Sequence, residues 1–81
     1  MMESTEQRVY GILSDVFGIP LDKVNSDTSP DNVPEWDSVS HINIVLSLEA
    51  EFGIALTPED SMEMLSTRLI LIILEERGLV D

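Results

Sequence analysis

The chain contains no cysteine and a single histidine, His41. Without cysteine the fold can hold no disulfide, and no thiolate can bind a metal ion. One histidine cannot by itself build a histidine-based zinc site or a hydrolytic site. Together with the short length of 81 residues, these absences argue against an enzyme.

Basic residues are also scarce. Four Lys and Arg stand against sixteen Asp and Glu, which gives a net charge of −12 at pH 7. Nucleic acids are bound through basic surfaces, so this charge argues against DNA or RNA as a partner. It favours proteins with basic patches, and encounters with such partners should be fast and sensitive to salt.

Long hydrophobic runs are missing. The longest apolar run, residues 69–74, has six residues and is far too short to span a bilayer. The first six residues lack the basic and apolar regions of a signal peptide. We therefore expect a cytoplasmic protein with no membrane insertion. Its length predicts a single domain, residues 1–81, around one modest core.

The first predicted helix begins at Ser4 or Thr5, either of which can cap it. Gly18 suits the position just after the helix, and Pro20 prevents its continuation. The apolar residues have the spacing of a helix that buries one face: Val9, Ile12, Leu13, Val16 and Phe17. Residues 19–37 then form a long loop, pinned to the core by its scattered apolar residues: Ile19, Leu21, Val24 and Val33.

A second helix is predicted over residues 38–52, capped by Asp37 or Ser38 and closed by Gly53. It has two apolar faces, and a helix of this kind lies between neighbours or offers its second face to something else. The first face should form core and consists of Ile44, Val45, Leu48 and Phe52. The second face consists of Val39, Ile42 and Leu46, flanked by Glu49.

Two further helices complete the prediction. Thr57 and Pro58 are typical of a helix start, and this third helix is short, over residues 58–64. Ser66-Thr67 caps a fourth helix that carries the run 69–74 and ends at Arg77-Gly78. The run alone could also be a buried strand, but no partner strand is evident. We expect one or two of three residues in it to be partly exposed or covered: Ile70, Leu71 and Leu74.

Three segments, in this order and spacing, resemble the acyl carrier protein family over essentially the whole chain. Asp37-Ser38-Val39 begins the second helix, residues 48–54 read Leu-Glu-Ala-Glu-Phe-Gly-Ile, and residues 56–60 read Leu-Thr-Pro-Glu-Asp. The resemblance implies an all-α, four-helix acyl-carrier-like bundle with a long first loop and a short third helix.

The resemblance also implies a cofactor, a 4′-phosphopantetheine attached to Ser38 beside Asp37. A phosphopantetheinyl transferase would transfer it from coenzyme A with magnesium, and its thiol would hold acyl groups as thioesters. A phosphate ester at this position would be held by the free N–H groups and the dipole of the second helix. The chain would then be a carrier and a substrate of other enzymes.

The same resemblance implies roles for two sets of residues, one in docking and one in sheltering the acyl chain. Acyl-loading, acyltransferase or synthase enzymes would dock through their basic patches on the second helix at Val39, Ile42, Leu46 and Glu49. Acyl chains would be sheltered between the second and third helices, with pocket candidates Val45, Leu48, Met62 and Met64. The two methionines can also be read as ordinary core.

Several residues depart from the pattern of the members that serve fatty acid synthesis. Glu35 stands where those members commonly have glycine, and Trp36 directly precedes Asp37. Three positions that are frequently acidic in those members carry no acidic residue here: Ser40, Asn43 and Ala50. These differences favour a specialised carrier for a modified lipid, a polyketide or another secondary product. Trp36 is interpreted as an anchor of the loop, and His41 as a solvated or docking-face residue without a catalytic role.

Other interpretations stay open. The chain could be an aminoacyl or peptidyl carrier, or an unmodified acidic helical adaptor in which Ser38 only caps a helix. We expect a monomer, with the run 69–74 as the alternative self-association surface. No metal site is predicted, because residues 27–38 lack the glycine and the final glutamate of a calcium-binding EF-hand loop.

The charge generates a first prediction. Repulsion among the carboxylates should weaken the fold at low salt, so added sodium chloride or magnesium should raise the melting temperature. Thermal melts followed by circular dichroism over a range of ionic strength would measure this. A melting temperature that responds to neither salt would contradict it.

Overall fold

The computed structural model describes residues 4–79, so residues 1–3 and 80–81 of the predicted domain lie outside the described residues. Within that range the secondary structure is entirely helical. The four α-helices are α1 (Thr5–Phe17), α2 (Ser38–Phe52), α3 (Pro58–Glu63) and α4 (Thr67–Glu76), and a 3-10 turn covers Leu21–Lys23. The predicted all-α fold with a long first loop and a short third helix is confirmed.

The ends of the first two helices follow local rules. Ser4 caps α1 in a reciprocal pair of bonds: the Gln7 N–H donates to Ser4 Oγ at 3.1 Å, and the Ser4 N–H donates to Gln7 Oε1 at 3.0 Å. Gly18 and Gly53 close α1 and α2 with φ of 67° and 64°, a left-handed conformation that favours glycine. Both predicted helix ends are therefore confirmed.

The start of α3 is held by a second reciprocal pair. The Thr57 N–H donates to the Asp60 carboxylate, and the Asp60 N–H donates to Thr57 Oγ1, both at 3.1 Å. The helix ends at Glu63 with Met64 as its C-cap, one residue earlier than the predicted span 58–64. Ser66 then caps α4 by accepting the Leu69 N–H at 3.2 Å.

The core lies where α1 packs against α2 and α4, while α3 packs on α4. Fully burying an aliphatic side chain contributes about 1.5–3 kcal/mol, so the buried hydrophobic residues of this core supply most of the favourable free energy of folding. The hydrophobic side chains with no exposed surface come from all three long helices and the segment before α4: Val9, Leu13, Ile44, Leu48, Met64, Ile70 and Leu74.

The apolar run of α4 is mostly buried, as a helix rather than a strand. The expectation that one or two of three residues are partly exposed or covered is met by Leu71, which is half-buried, whereas Ile70 and Leu74 are fully buried. The exposed members are Leu69 and Ile72. Residues 70 and 74 lie one helical turn apart and share the face that packs on the core.

The long loop is anchored by fewer residues than predicted. Val24 and Val33 are buried and Ile19 is half-buried, but Leu21 is 57% exposed, so its predicted anchoring role is wrong. The 3-10 turn brings Val24, and not Leu21, to the core. A contact that the sequence did not reveal also holds the loop: the N–H and the hydroxyl of Thr67 donate to the Thr28 carbonyl at 2.9 and 3.0 Å.

The α3 cap generates a prediction about pH. Hydrogen bonds from the N–H and hydroxyl of Thr57, together with the nearby Arg77 guanidinium, lower the pKa of Asp60 below its ordinary value of 3.8. The stabilisation is therefore present above the pKa of the unfolded chain and lost as pH falls through the lowered pKa. Asp60→Asn should lose less stability than the wild type when pH falls from 5 to 2. Urea denaturation at each pH measures this difference.

Glu59→Gln is the matched control, because it removes the same charge from the neighbouring exposed position of α3. Its pH dependence should follow that of the wild type more closely than Asp60→Asn does. Equal pH dependence in all three proteins would contradict a special role of Asp60.

Candidate functional site

The start of α2 is determined by Asp37. Its backbone is extended, with φ −105° and ψ −173°, and its carboxylate accepts the Ser40 N–H at 2.9 Å, which makes it the N-cap. Ser38 is consequently the first helical residue and does not cap the helix. The interpretation of Ser38 as a helix cap is therefore wrong.

The Ser38 side chain is exposed. Its hydroxyl makes no hydrogen bond with another residue in the range 4–79. The expectation of free N–H groups around it is only partly met, because the Ser40 N–H is bound to Asp37. The fold thus uses Asp37 to complete the helix and leaves the serine oxygen available for chemistry.

Asp37 keeps a negative charge next to this hydroxyl. The hydrogen bond from the Ser40 N–H is the main cause that lowers the pKa of Asp37 below its ordinary value, and the Ser40 hydroxyl and the Val39 N–H act in the same direction. A carboxylate at the N-terminus of a helix is also favoured by the helix dipole. Near neutral pH, Ser38 therefore stands beside an ionised carboxylate.

Ser38 also lines a cleft of about 620 Å³. One side of the cleft comes from the long loop and α2, and the other comes from α3 and the segment that follows it. The apolar lining residues are Pro30, Trp36, Ile42, Met62, Met64 and Leu65. The exposed hydroxyl is thus adjacent to an open apolar cleft between α2 and α3.

The four pocket candidates divide into two groups. Met62 and Met64 line the cleft, whereas Val45 and Leu48 do not. Met64 is fully buried, but Met62 is 74% exposed, so the interpretation as core is confirmed for Met64 and wrong for Met62. Leu48 lies in the core and Val45 packs against it, because they share the inward face of α2 with Ile44.

The second apolar face of α2 is exposed in the structure. Val39, Ile42 and Leu46 are 69%, 58% and 58% exposed, so no part of residues 4–79 covers them fully. Glu49 behaves differently from these three. It is half-buried, and its carboxylate accepts the Leu56 N–H at 2.9 Å. One oxygen of this predicted docking residue is thus bound within the domain.

Trp36 is buried and anchors the loop, as predicted. Its ring lies against Phe17 of α1, with ring centroids 5.3 Å apart. Its indole N–H donates to Nδ1 of His41 at 3.1 Å, and Nε2 of His41 lies 2.8 Å from the Ser61 carbonyl oxygen. The expectation of a solvated or docking-face histidine is wrong, since His41 is half-buried in a bridge across the cleft.

One signal in the sequence could have indicated this bridge. A buried tryptophan needs an acceptor for its N–H, and His41 is the nearest ring nitrogen along the chain. Nothing in the sequence indicated the Ser61 carbonyl, because it belongs to another helix. Among residues 4–79, no group of three or more His, Asp or Glu could hold a metal ion. None of the described helices is long and apolar enough to cross a membrane.

Comparison with known proteins identifies curated relatives of this chain. No protein-family profile matches the chain. The chain is similar to the acyl carrier protein of Lactobacillus johnsonii, with 33% identity over 67 residues. The match covers 78% of this chain and 82% of the relative.

The two methionines of the cleft generate a prediction that separates its buried wall from its exposed side. Met64→Ala should reduce the free energy of unfolding by about 2–5 kcal/mol, because the side chain is fully buried. Met62→Ala should change it by less than about 0.5 kcal/mol, because that side chain is mostly exposed. Urea denaturation followed by circular dichroism measures both, and equal losses would contradict this description of the cleft.

Proposed function

The chain belongs to the acyl carrier protein family, and from this premise we propose that it carries acyl groups as thioesters on a 4′-phosphopantetheine attached to Ser38. One observation carries the proposal. Ser38 is an exposed serine at the start of a long helix, and its hydroxyl has no structural task among the described residues.

Other serines support this assignment by contrast. Ser4 and Ser66 use their hydroxyls to cap α1 and α4. The Ser14 hydroxyl donates to the Ile19 carbonyl at 2.6 Å. Modification of any of these oxygens would remove a hydrogen bond that holds the fold, whereas modification of Ser38 would remove none.

The residues around Ser38 fit a phosphodiester. Asp37 determines that α2 begins at Ser38, so the hydroxyl is held at a rigid helix terminus where the helix dipole favours an anion. The Asp37 carboxylate repels a phosphate, but both groups would be exposed to solvent, and salt screens the repulsion. When bound, the cofactor supplies the thiol that forms the thioester, and the protein supplies position and recognition.

We assign the cleft between α2 and α3 as the place where the cargo is sheltered. It adjoins Ser38, has an apolar lining, and is closed on one side by the fully buried Met64. Met62 is exposed and flexible, so it can adapt to different chains. Val45 and Leu48 lie in the core outside the cleft, and their part in holding an acyl chain stays a prediction.

We propose that partner enzymes dock on the exposed face of α2. Val39, Ile42 and Leu46 present apolar surface on the same helix as the modified serine. The net charge of −12 attracts enzymes with basic patches and speeds their encounter. Glu49 can contribute through the part of its carboxylate that is not engaged by the Leu56 N–H. The phosphopantetheinyl transferase and the enzymes that load and unload the arm would share this surface.

We further propose that the carrier serves a dedicated lipid or polyketide-like pathway. The first turn of α2 contains no acidic residue, so its docking face relies more on apolar contact than a strongly acidic helix would. Trp36, directly before Asp37, contributes to the wall of the cleft. Both features favour a small set of matched partners.

The intact mass of the protein tests the proposed function. After incubation with coenzyme A, magnesium and a promiscuous phosphopantetheinyl transferase, the wild type should gain the mass of one phosphopantetheine. Ser38→Ala should gain nothing, because it lacks the acceptor oxygen. Ser40→Ala is the matched control, since it removes a hydroxyl from the same helical turn and keeps Ser38.

Two results would overturn the assignment. Modification of Ser38→Ala would place the arm on another residue. No modification of a folded wild type, confirmed by its circular dichroism, would favour the unmodified adaptor. A full mass gain by Ser40→Ala is required for the result to be specific to position 38.

A further inference from the structure

His41 joins three parts of the chain around the cleft. It belongs to α2, its Nδ1 accepts the N–H of Trp36 from the long loop at 3.1 Å, and its Nε2 lies 2.8 Å from the Ser61 carbonyl oxygen of α3. Trp36, His41 and Ser61 all line the cleft beside Ser38. We call this set the His41 bridge.

The two bonds determine the chemical state of the ring. An indole N–H can only donate, so Nδ1 must be the acceptor and carries no proton. A carbonyl oxygen can only accept, so Nε2 must carry the proton. His41 is therefore a neutral imidazole with its hydrogen on Nε2, and each nitrogen has a different partner.

The position of helix α3 depends on this bridge more than the positions of the other helices do. It has six residues, too few for a stable isolated helix, so its position depends on tertiary contacts. It packs on α4, to which the Asp60 carboxylate and the Arg77 guanidinium also tie it. On its other side, the bond from His41 to Ser61 is the hydrogen bond that connects α2 with α3 within residues 4–79.

We propose that His41 is a positioning residue that sets the width of the cleft by holding α3 toward α2 and Trp36 in the cleft wall. With the bridge formed, the gap between the two helices is limited at the level of Ser38. Without it, α3 stays attached to α4 alone and can move away from α2. The identity of the molecule that enters the cleft rests on the function proposed above, but the bridge itself does not.

The composition of the chain makes this inference directly measurable. It has one histidine and one tryptophan, so the imidazole nitrogens and the indole N–H give unambiguous NMR signals. In the unmodified wild type, the 15N shifts of His41 should be those of the neutral tautomer protonated on Nε2. A tautomer protonated on Nδ1 would overturn the proposal without any mutation.

Two substitutions separate the two bonds. His41→Asn places an amide near the position of Nδ1, which can still accept from Trp36 but is too short to reach Ser61. His41→Gln places an amide near the position of Nε2, which can still donate to Ser61 but leaves the indole N–H unpaired. Asn43→Ala is the matched control, because Asn43 is exposed on the same helix and does not line the cleft.

Hydrogen exchange should respond to the two variants in opposite ways. His41→Asn should accelerate exchange of the α3 amides by about fivefold, the factor expected for one net hydrogen bond, and leave the indole N–H protected. His41→Gln should accelerate exchange of the indole N–H by a similar factor and leave α3 protected. Asn43→Ala should match the wild type at both positions.

A purely structural role gives different results. If both variants accelerate exchange throughout α1, α2 and α4 by the same factor, His41 only stabilises the whole domain and the proposal is overturned. If neither variant changes exchange at α3 or at Trp36, the bridge positions nothing and the proposal is equally overturned.

The effect on the cargo is tested separately. Wild type, the two His41 variants and Asn43→Ala would each be loaded with an octanoyl thioester, and its cleavage by hydroxylamine would be timed. Faster cleavage in His41→Asn than in Asn43→Ala is expected, because a wider cleft exposes the thioester. Equal rates would overturn the link between the bridge and the cargo. Failure of the wild type to accept the cofactor would overturn the proposed function alone, because the exchange experiment uses unmodified protein.

Discussion

The hydrogen bond between the Asp37 carboxylate and the Ser40 N–H is the interaction on which the rest of the structure depends. It determines the first residue of α2, and the packing of α2 on α1 then sets which side chains of that helix face the core. Ile44 and Leu48 face the core, His41 and Ile42 line the cleft, and the exposed apolar face lies beside them. The same bond takes over the capping task that a serine could have performed, so the Ser38 oxygen is left without a structural role.

The use of positive charge is a second constraint. All three arginines form ion pairs with carboxylates of other segments, and these pairs are Arg8 with Glu51, Arg68 with Asp27, and Arg77 with Asp60. Exposed pairs of this kind add little stability, about 0–1 kcal/mol each, but they connect helices and loop. Little positive charge remains to neutralise the surface. The negative field is thus available for attracting basic partners, at the cost of repulsion within the fold.

The cleft brings buried and exposed apolar side chains together at the site of the proposed modification. Its buried wall includes Met64 and Trp36, which pack as core residues do, while Met62 and Ile42 are exposed. The neutral imidazole of His41 satisfies the indole N–H and a backbone carbonyl in surroundings where an unpaired polar group would be costly. An apolar cleft can therefore lie next to the ionised Asp37 carboxylate without a buried unpaired side-chain nitrogen or oxygen among the described residues.

The helices and the place of Ser38 at the start of α2 were determined by the sequence alone, because helix formation depends on contacts between residues three or four apart. The Thr57 cap and the glycine closures at Gly18 and Gly53 are of this kind, whereas the sequence left two neighbouring candidates for the caps of α1, α2 and α4. Tertiary structure alone decided that Met64 is buried and Met62 exposed, that Leu21 points away from the core, and that Glu49 and His41 bind backbone groups of distant segments. These outcomes depend on how the helices pack against one another, and periodicity along one helix carries no information about the group that a neighbouring helix places opposite it.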